Sequence, residues 1–323
     1  MTLTPLASNN ALDDDPRRYA HLSTIRLEDP DAIARAAKAR RRHPGLKYGK
    51  QNFIVAADHP ARGALAVGSD PVAMADRRQL LDRLQIALAN PDVDGVLASP
   101  DIMDDLLLLG ALEGKLVFGS MNRGGLSGLV NEIDDRFTGH TAAALEALGA
   151  DGGKMLTRIC LGDPDTVATL EATAKAIDSL AERKLIAMVE PFLSVRDNGR
   201  VRNDLSTDAV IKSIAIAEGL GSTSAYTWMK LPVVDEMERV MASTTLPTLL
   251  LGAGLLAGLL LAVLCRPFVA AGARRRARRA ERRMRDRIAA VAEEVVLAPL
   301  ESVHAAHRRY CDAVGRLRPG SRR

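Results

Sequence analysis

The chain has 323 residues, of which 26% are charged and only 3% aromatic. That length suits one large domain, and the core must be built mainly from Ala, Leu, Val and Ile. The net charge of +4 averages two unlike regions: residues 1–253 carry 28 Lys and Arg against 34 Asp and Glu, and residues 254–323 carry 16 against 6. The basic character lies in an arginine-rich tail, so it is no argument for a nucleic-acid partner of the acidic body. The cysteines, Cys160, Cys265 and Cys311, have no metal-ligand spacing, and their odd number argues against a disulfide framework. A reducing, cytoplasmic setting is expected, with no secretory signal at the N-terminus.

Residues 1–46 read as an N-terminal helical extension. Its clearest element is the amphipathic run DPDAIARAAKARRR, with Asp29 or Asp31 near the helix start. Residues 47–253 alternate short apolar runs with longer helical patterns, as parallel βα units do. The predicted strands are Phe53–Ala57, Val93–Ser99, Lys115–Ser120, Gly152–Thr157, Ile186–Phe192, Ala225–Lys230 and Thr248–Gly252. Between them, runs such as ADRRQLLDRLQIALANP and DTVATLEATAKAIDSLAERK place apolar residues at helical spacing. Seven such units predict an α/β fold of the (β/α)8 (TIM) barrel class. A doubly wound sheet is the alternative, and no GxGxxG follows the first strand to support it.

Polar residues gather where the predicted strands end. Asp58 and His59 follow the first, and Asn122 and Arg123 the third. Lys154 lies in the fourth, Glu190 near the end of the fifth, and Lys230 closes the sixth. In a barrel these ends face one mouth, where active sites are built. Lys230 and Glu190 stand in apolar settings, TSAYTWMKLP and AMVEPF, and a charge there needs a partner. A structural ion pair and a catalytic pair are both compatible with that. Arg123, in the glycine-rich SMNRGGLSG loop, is either an anion-binding fork or a structural loop arginine. His59 reads as structural. A metal-dependent site would need several histidines at the mouth, and only His59 of the six is placed there, so neither metal nor cofactor is expected.

The runs NFIVAADHPARGALAVG, DGVLASPDIMDDLLLLG, FGSMNRGGL, DDRFTGHTAAALEALGADGGKMLTRI, AMVEPFL and GSTSAYTWMKLPVVDEMERVMASTTLPTLLLG resemble an actinobacterial group of class I aldolase-like barrel proteins. That group is similar to tagatose-bisphosphate and DhnA-type fructose-bisphosphate aldolases, and more distantly to deoxyribose-phosphate aldolase. The resemblance covers residues 15–253. It implies that Lys230 is the Schiff-base lysine and Glu190 the carboxylate that moves protons. It further implies that Lys154 is the second lysine beside the nucleophile and that Asp58 contacts substrate hydroxyls. Gly252, Asn122 and Arg123 are expected at the substrate. The implied partner is a sugar phosphate, in a homo-oligomeric enzyme of sugar or inositol catabolism; a 2-deoxy-5-keto-gluconate phosphate is one candidate by analogy.

Residues 254–323 depart from this pattern. Relatives would continue with a glycine-bearing loop, a helix and an eighth strand ending in Gly-Arg. Here Leu246–Cys265 runs 20 residues without a charge and is followed by clustered arginines. Three readings fit: a shifted reading frame or rearranged C-terminus, a divergent helical tail, and a membrane anchor at 246–265. The expectation is a barrel without a regular strand 8. The alternative to an aldolase is a non-catalytic decayed barrel or a membrane-tethered protein.

Overall fold

The structure, a computed structural model, describes residues 17–46, 52–122, 126, 133, 135–198, 200–251 and 308. The chain divides into two compact units, Met1–Gly252 and Ala253–Arg323, and all but Arg308 of the second lies outside the described residues.

In the first unit, strands and helices alternate. The strands are β1 (Ile54–Ala57), β2 (Gly95–Ala98), β3 (Leu116–Ser120), β4 (Gly152–Ile159), β5 (Ile186–Asp197), β6 (Arg200–Asn203), β7 (Thr227–Pro232) and β8 (Thr248–Leu251). The helices are α1 (Ala20–Glu28), α2 (Ala32–Ala39), α3 (Arg77–Ala89), α4 (Pro100–Leu108), α5 (Ala142–Leu148), α6 (Thr166–Glu182), α7 (Thr207–Glu218) and α8 (Met237–Ala242). Seven strands pair in parallel in the order β1-β2-β3-β4-β5-β7-β8. Each overlaps one of the predicted strands, with shifted ends: β5 runs on past Phe192, and β7 starts and ends two residues later than predicted, so Lys230 lies within it and not at its end. The fold is a curled, TIM-barrel-like half-barrel, and among the described residues no pairing joins β1 to β8.

The strands read as near-continuous apolar runs because both faces are covered. Alternate side chains go to different cores. Val96, Ala98, Val117, Met155, Ala187, Val189, Met229 and Leu231 face outward into the main core with Leu81, Leu106, Leu145, Ile177 and Ile214 from the helices. Leu97, Leu116, Phe118 and Met188 form a second, inner cluster with Ile54, Ala56 and Ile186. β4 lies between β3 and β5 and contributes no side chain to that cluster. Its residue there is Gly152, paired with Phe118 on one side and Ile186 on the other. A Cβ at Gly152 would lie 2.3 Å from the Ile186 carbonyl oxygen, so the sheet can curl this tightly only around glycine.

Three helix starts carry side-chain caps. Asp76 accepts from the amides of Arg78 and Gln79, Thr141 from Ala144, and Ser206 from Ala209. The N-terminal helices dock on the outer layer through Leu22 and Ala37. The segment after α2 laces the N-terminal ends of the strands together. Buried Arg40 donates to the carbonyls of Lys115 (3.0 Å) and Gly149 (2.8 Å), and Arg42 donates to that of Ala150 (3.2 Å).

Two features were absent from the sequence reading. α1 is one. The other is a hairpin: β5 runs past Phe192 to Asp197, turns, and pairs antiparallel with β6, Ser194 opposite Asn203 and Asp197 opposite Arg200. The apolar run at 246–265 begins in extended chain, since its first described residues lead into β8. No helix among the described residues is long and apolar enough to cross a membrane. The remainder of that run, and the expected absence of a regular eighth barrel strand, lie outside the described residues.

Candidate active site

Four charged side chains meet above the inner apolar cluster. Lys154, Glu190 and Lys230 occupy the inner face of β4, β5 and β7, and Asp58 follows β1. Two positions earlier on each strand stands Gly152, Met188, Trp228 or Ala56, so the charges rest on an apolar floor. Asp58 comes just after β1, and Lys154, although only third in β4, is level with Ser120, the last residue of β3. The cluster thus lies at the C-terminal ends of β1 and β3, the side on which barrels place their chemistry.

The Lys154 ammonium lies 3.1 Å from Asp58 Oδ2 and 2.5 Å from Glu190 Oε2. The Lys230 ammonium donates to Glu190 Oε1 at 2.6 Å. Glu190 is therefore shared between two lysines, one at each oxygen. All four side chains are at most 7% exposed. Removing such charges from water costs several kcal/mol per ion unless they are paired. The two carboxylates and two ammoniums offset one another.

Burial lowers the Lys230 amine from the ordinary 10.5 to about 8, with Lys154 adding like-charge repulsion; Glu190 opposes both. Burial alone would raise Glu190, but the coulombic pull of Lys154 and then Lys230 wins and holds it at about 2. Asp58 is pushed the same way: burial is outweighed by Lys154 and Arg62, and its carboxyl stays well below the usual range.

Of the other expected site residues, Asn122 reaches the middle of the neighbouring strand β4. Its amide donates to the Leu156 carbonyl at 2.8 Å, and its oxygen accepts from the Leu156 amide at 3.0 Å, clipping the end of β3 to β4. Arg123 and Gly252 lie outside the described residues. Arg62 was missed. It ends a single 3-10 turn, Pro60–Arg62, just after β1, and its Nη2 donates to Asp58 Oδ2 at 2.5 Å. The signal was its spacing of four from Asp58, with Pro60 starting the turn. Buried Arg158 also went unremarked, four residues beyond Lys154 on the same face of β4.

A TIM-barrel-like α/β fold carrying a buried lysine–carboxylate cluster at its strand ends is the class of protein these features define. Residues 50–257 match the family model described as Cgl0159-like, and the chain belongs to that family. The crystal structure of Cgl0159 from Corynebacterium glutamicum is 56% identical, with a TM-score of 0.71, over 73% of this chain and 80% of that one. Two aldolase structures align more distantly. A Schiff-base-forming fructose-1,6-bisphosphate aldolase is 18% identical with a TM-score of 0.42, over 68% of this chain and 79% of that one. An archaeal fructose 1,6-bisphosphate aldolase is 15% identical with a TM-score of 0.39, over 63% and 86% respectively. Likeness at that level carries no argument about activity. No curated protein matches the chain.

Proposed function

We propose that this protein is a class I, Schiff-base-forming aldolase acting on a phosphorylated ketose or keto-acid sugar, with Lys230 as nucleophile. The observation that carries the reading is the buried Lys230 ammonium, 2.6 Å from a glutamate whose other oxygen holds a second lysine. An amine at about 8 is neutral in about one molecule in ten at pH 7, against fewer than one in a thousand for a free lysine. The neutral amine attacks a carbonyl carbon, and the carbinolamine loses water to give an iminium. Proton loss from the hydroxyl on the far carbon of the breaking bond, the β-carbon, then turns that carbon into the new carbonyl as the bond's electron pair passes to the iminium and leaves an enamine. Protonation and hydrolysis of the enamine free the second product and restore the amine.

The proton carrier is Glu190 rather than Asp58. The Arg62 guanidinium and the Lys154 ammonium flank Asp58 Oδ2 and hold that carboxylate as a fixed counter-ion. Glu190 faces Lys230, whose charge changes during the cycle. Once Lys230 is a neutral carbinolamine, one of the three cations depressing Glu190 is gone, and its basicity rises when a proton must move.

The test is borohydride trapping with dihydroxyacetone phosphate, followed by peptide mass analysis. The reading expects a reduced adduct on Lys230 and none in Lys230→Ala. An adduct on Lys154 would exchange the two roles. A second reading, a barrel that has lost its activity, draws on the lack of pairing between β1 and β8 among the described residues. It expects no adduct with any carbonyl compound.

A further inference from the structure

The cluster around Glu190 does not end at Lys154. Asp58 Oδ2 is shared: Lys154 lies 3.1 Å away on one side, and Arg62 donates to the same oxygen from the other. One connected group therefore holds three cations, Lys154, Lys230 and Arg62, against two carboxylates, Asp58 and Glu190. With Lys230 protonated or carried as an iminium, the group is one positive charge in excess.

Arg62 is the member with hydrogen-bonding capacity to spare. Its side chain is 11% exposed, and its Nε is buried without a hydrogen-bond partner among the described residues. A guanidinium offers five N–H donors in a rigid plane, and the bond to Asp58 uses one. An unpaired donor in a desolvated position is costly unless something that binds there satisfies it. Gly63, at φ +72, ends the turn immediately after Arg62, leaving the guanidinium at the start of the loop from β1 to α3. The group is compact: Arg62 helps keep Glu190 ionised, and Lys230 helps keep Asp58 ionised.

We propose that Arg62 receives the anionic group of the substrate, a carboxylate or a phosphate, beside the carbonyl that Lys230 attacks. This deepens the Schiff-base reading and rests on it for the position of the carbonyl. The anion takes the free donors of the fork, as planar bidentate acceptors do, while Asp58 keeps the guanidinium in place. The bound anion cancels the surplus charge when Lys230 becomes an iminium, so an anionic donor favours the covalent state over a neutral one of equal size.

The experiment uses the full-length chain and three small carbonyl donors with borohydride: pyruvate, dihydroxyacetone phosphate and neutral dihydroxyacetone. Labelling of Lys230 is followed by peptide mass against time. At least one charged donor should label about 10- to 100-fold faster than the neutral one, the range expected of a charge-assisted hydrogen bond. The faster of the two charged donors identifies the anion as carboxylate or phosphate. Arg62→Met should erase the preference, so that charged and neutral donors label at the same rate as each other, whatever the loss of the Asp58 counter-ion does to that common rate. Arg62→Lys, the variant to use if the methionine form does not fold, should keep only part of the preference.

Equal labelling by all three donors in the native protein, or an equal slowing of all three in the variant, overturns the proposal. If no donor labels Lys230, the Schiff-base reading fails, and Arg62 is judged by calorimetric titration with inorganic phosphate and oxalate. Binding that Arg62→Met abolishes sustains the anion site, and no binding to the native protein overturns it.

Discussion

Lys154 and Lys230 share one carboxylate, and that sharing makes their charges interdependent. Replacing Lys154 with Met removes the like charge that depresses Lys230. The pH midpoint of imine trapping should then move up from about 8 toward 10.5, with the rate at pH 7 falling about tenfold per unit and recovering in alkali. A trapping profile unchanged in midpoint would remove Lys154 from that role. Glu190→Gln leaves the buried Lys230 ammonium without a carboxylate and Lys154 with Asp58 alone. It should cost about 3–5 kcal/mol in urea unfolding at pH 7, the cost of breaking a buried ion pair.

The two groups also have opposite pH signatures. Glu190 is depressed, so its stabilisation is complete above about 4.5 and lost as pH falls toward about 2. Lys230 is depressed too, but as a base, so the unfolded chain binds its proton more tightly. The stability of the native protein relative to Lys230→Met should therefore rise between about 8 and 10.5, measured by denaturant unfolding at each pH. Asp58, Lys154, Glu190 and Lys230 were legible in the sequence because a charge inside an apolar run must find a partner. Arg62 was not, since an arginine in a turn after a strand is ordinarily solvated. The partner of Asn122 was equally hidden, because a backbone carbonyl and amide carry no side-chain pattern.

At the scale of the element, Gly152 is the tightest point of the curl. Gly152→Val would drive a side chain into the backbone of β5 and should abolish soluble, cooperatively folding protein, read by circular dichroism and a thermal melt. A variant that melts like the native chain would mean β4 and β5 can part without cost.

The β5–β6 hairpin had a signal that the apolar pattern obscured. In sequence, the dipeptide Asn198-Gly199 is a strong hairpin-turn signal, and Asn198 adopts φ +50. The predicted strand ends at Phe192, whereas β5 carries Pro191 in its interior. Its missing N–H is tolerated because β7 pairs with β5 only from Ala187 to Val189, so the sheet makes no demand on that side. The seven parallel strands were readable because burial on both faces leaves an unbroken apolar run. α1 was not, because its buried side is narrow: only Leu22 among its residues is fully buried.

Over the whole first unit, the N-terminal segment closes the end of the sheet opposite the charged cluster. Arg40→Ala would leave the carbonyls of Lys115 and Gly149 without their donor and should destabilise the unit by about 2–4 kcal/mol, checked by denaturant unfolding. A loss confined to residues 17–46 in hydrogen exchange would mean that the segment is an appendage and not part of the cooperative unit.

The pairing of Lys154 with Asp58 spans 96 positions of sequence, and that of Lys230 with Glu190 spans 40. Contacts so distant along the chain close late, because loop entropy must be overcome before they form. Until β1 arrives, Lys154 has no Asp58, and burying it in the half-curled sheet is unfavourable. A folding intermediate lacking β1 therefore keeps its centre wet. The charges of the cluster should therefore act as a clock, delaying the drying of the interior until β1 and β7 have both found their places.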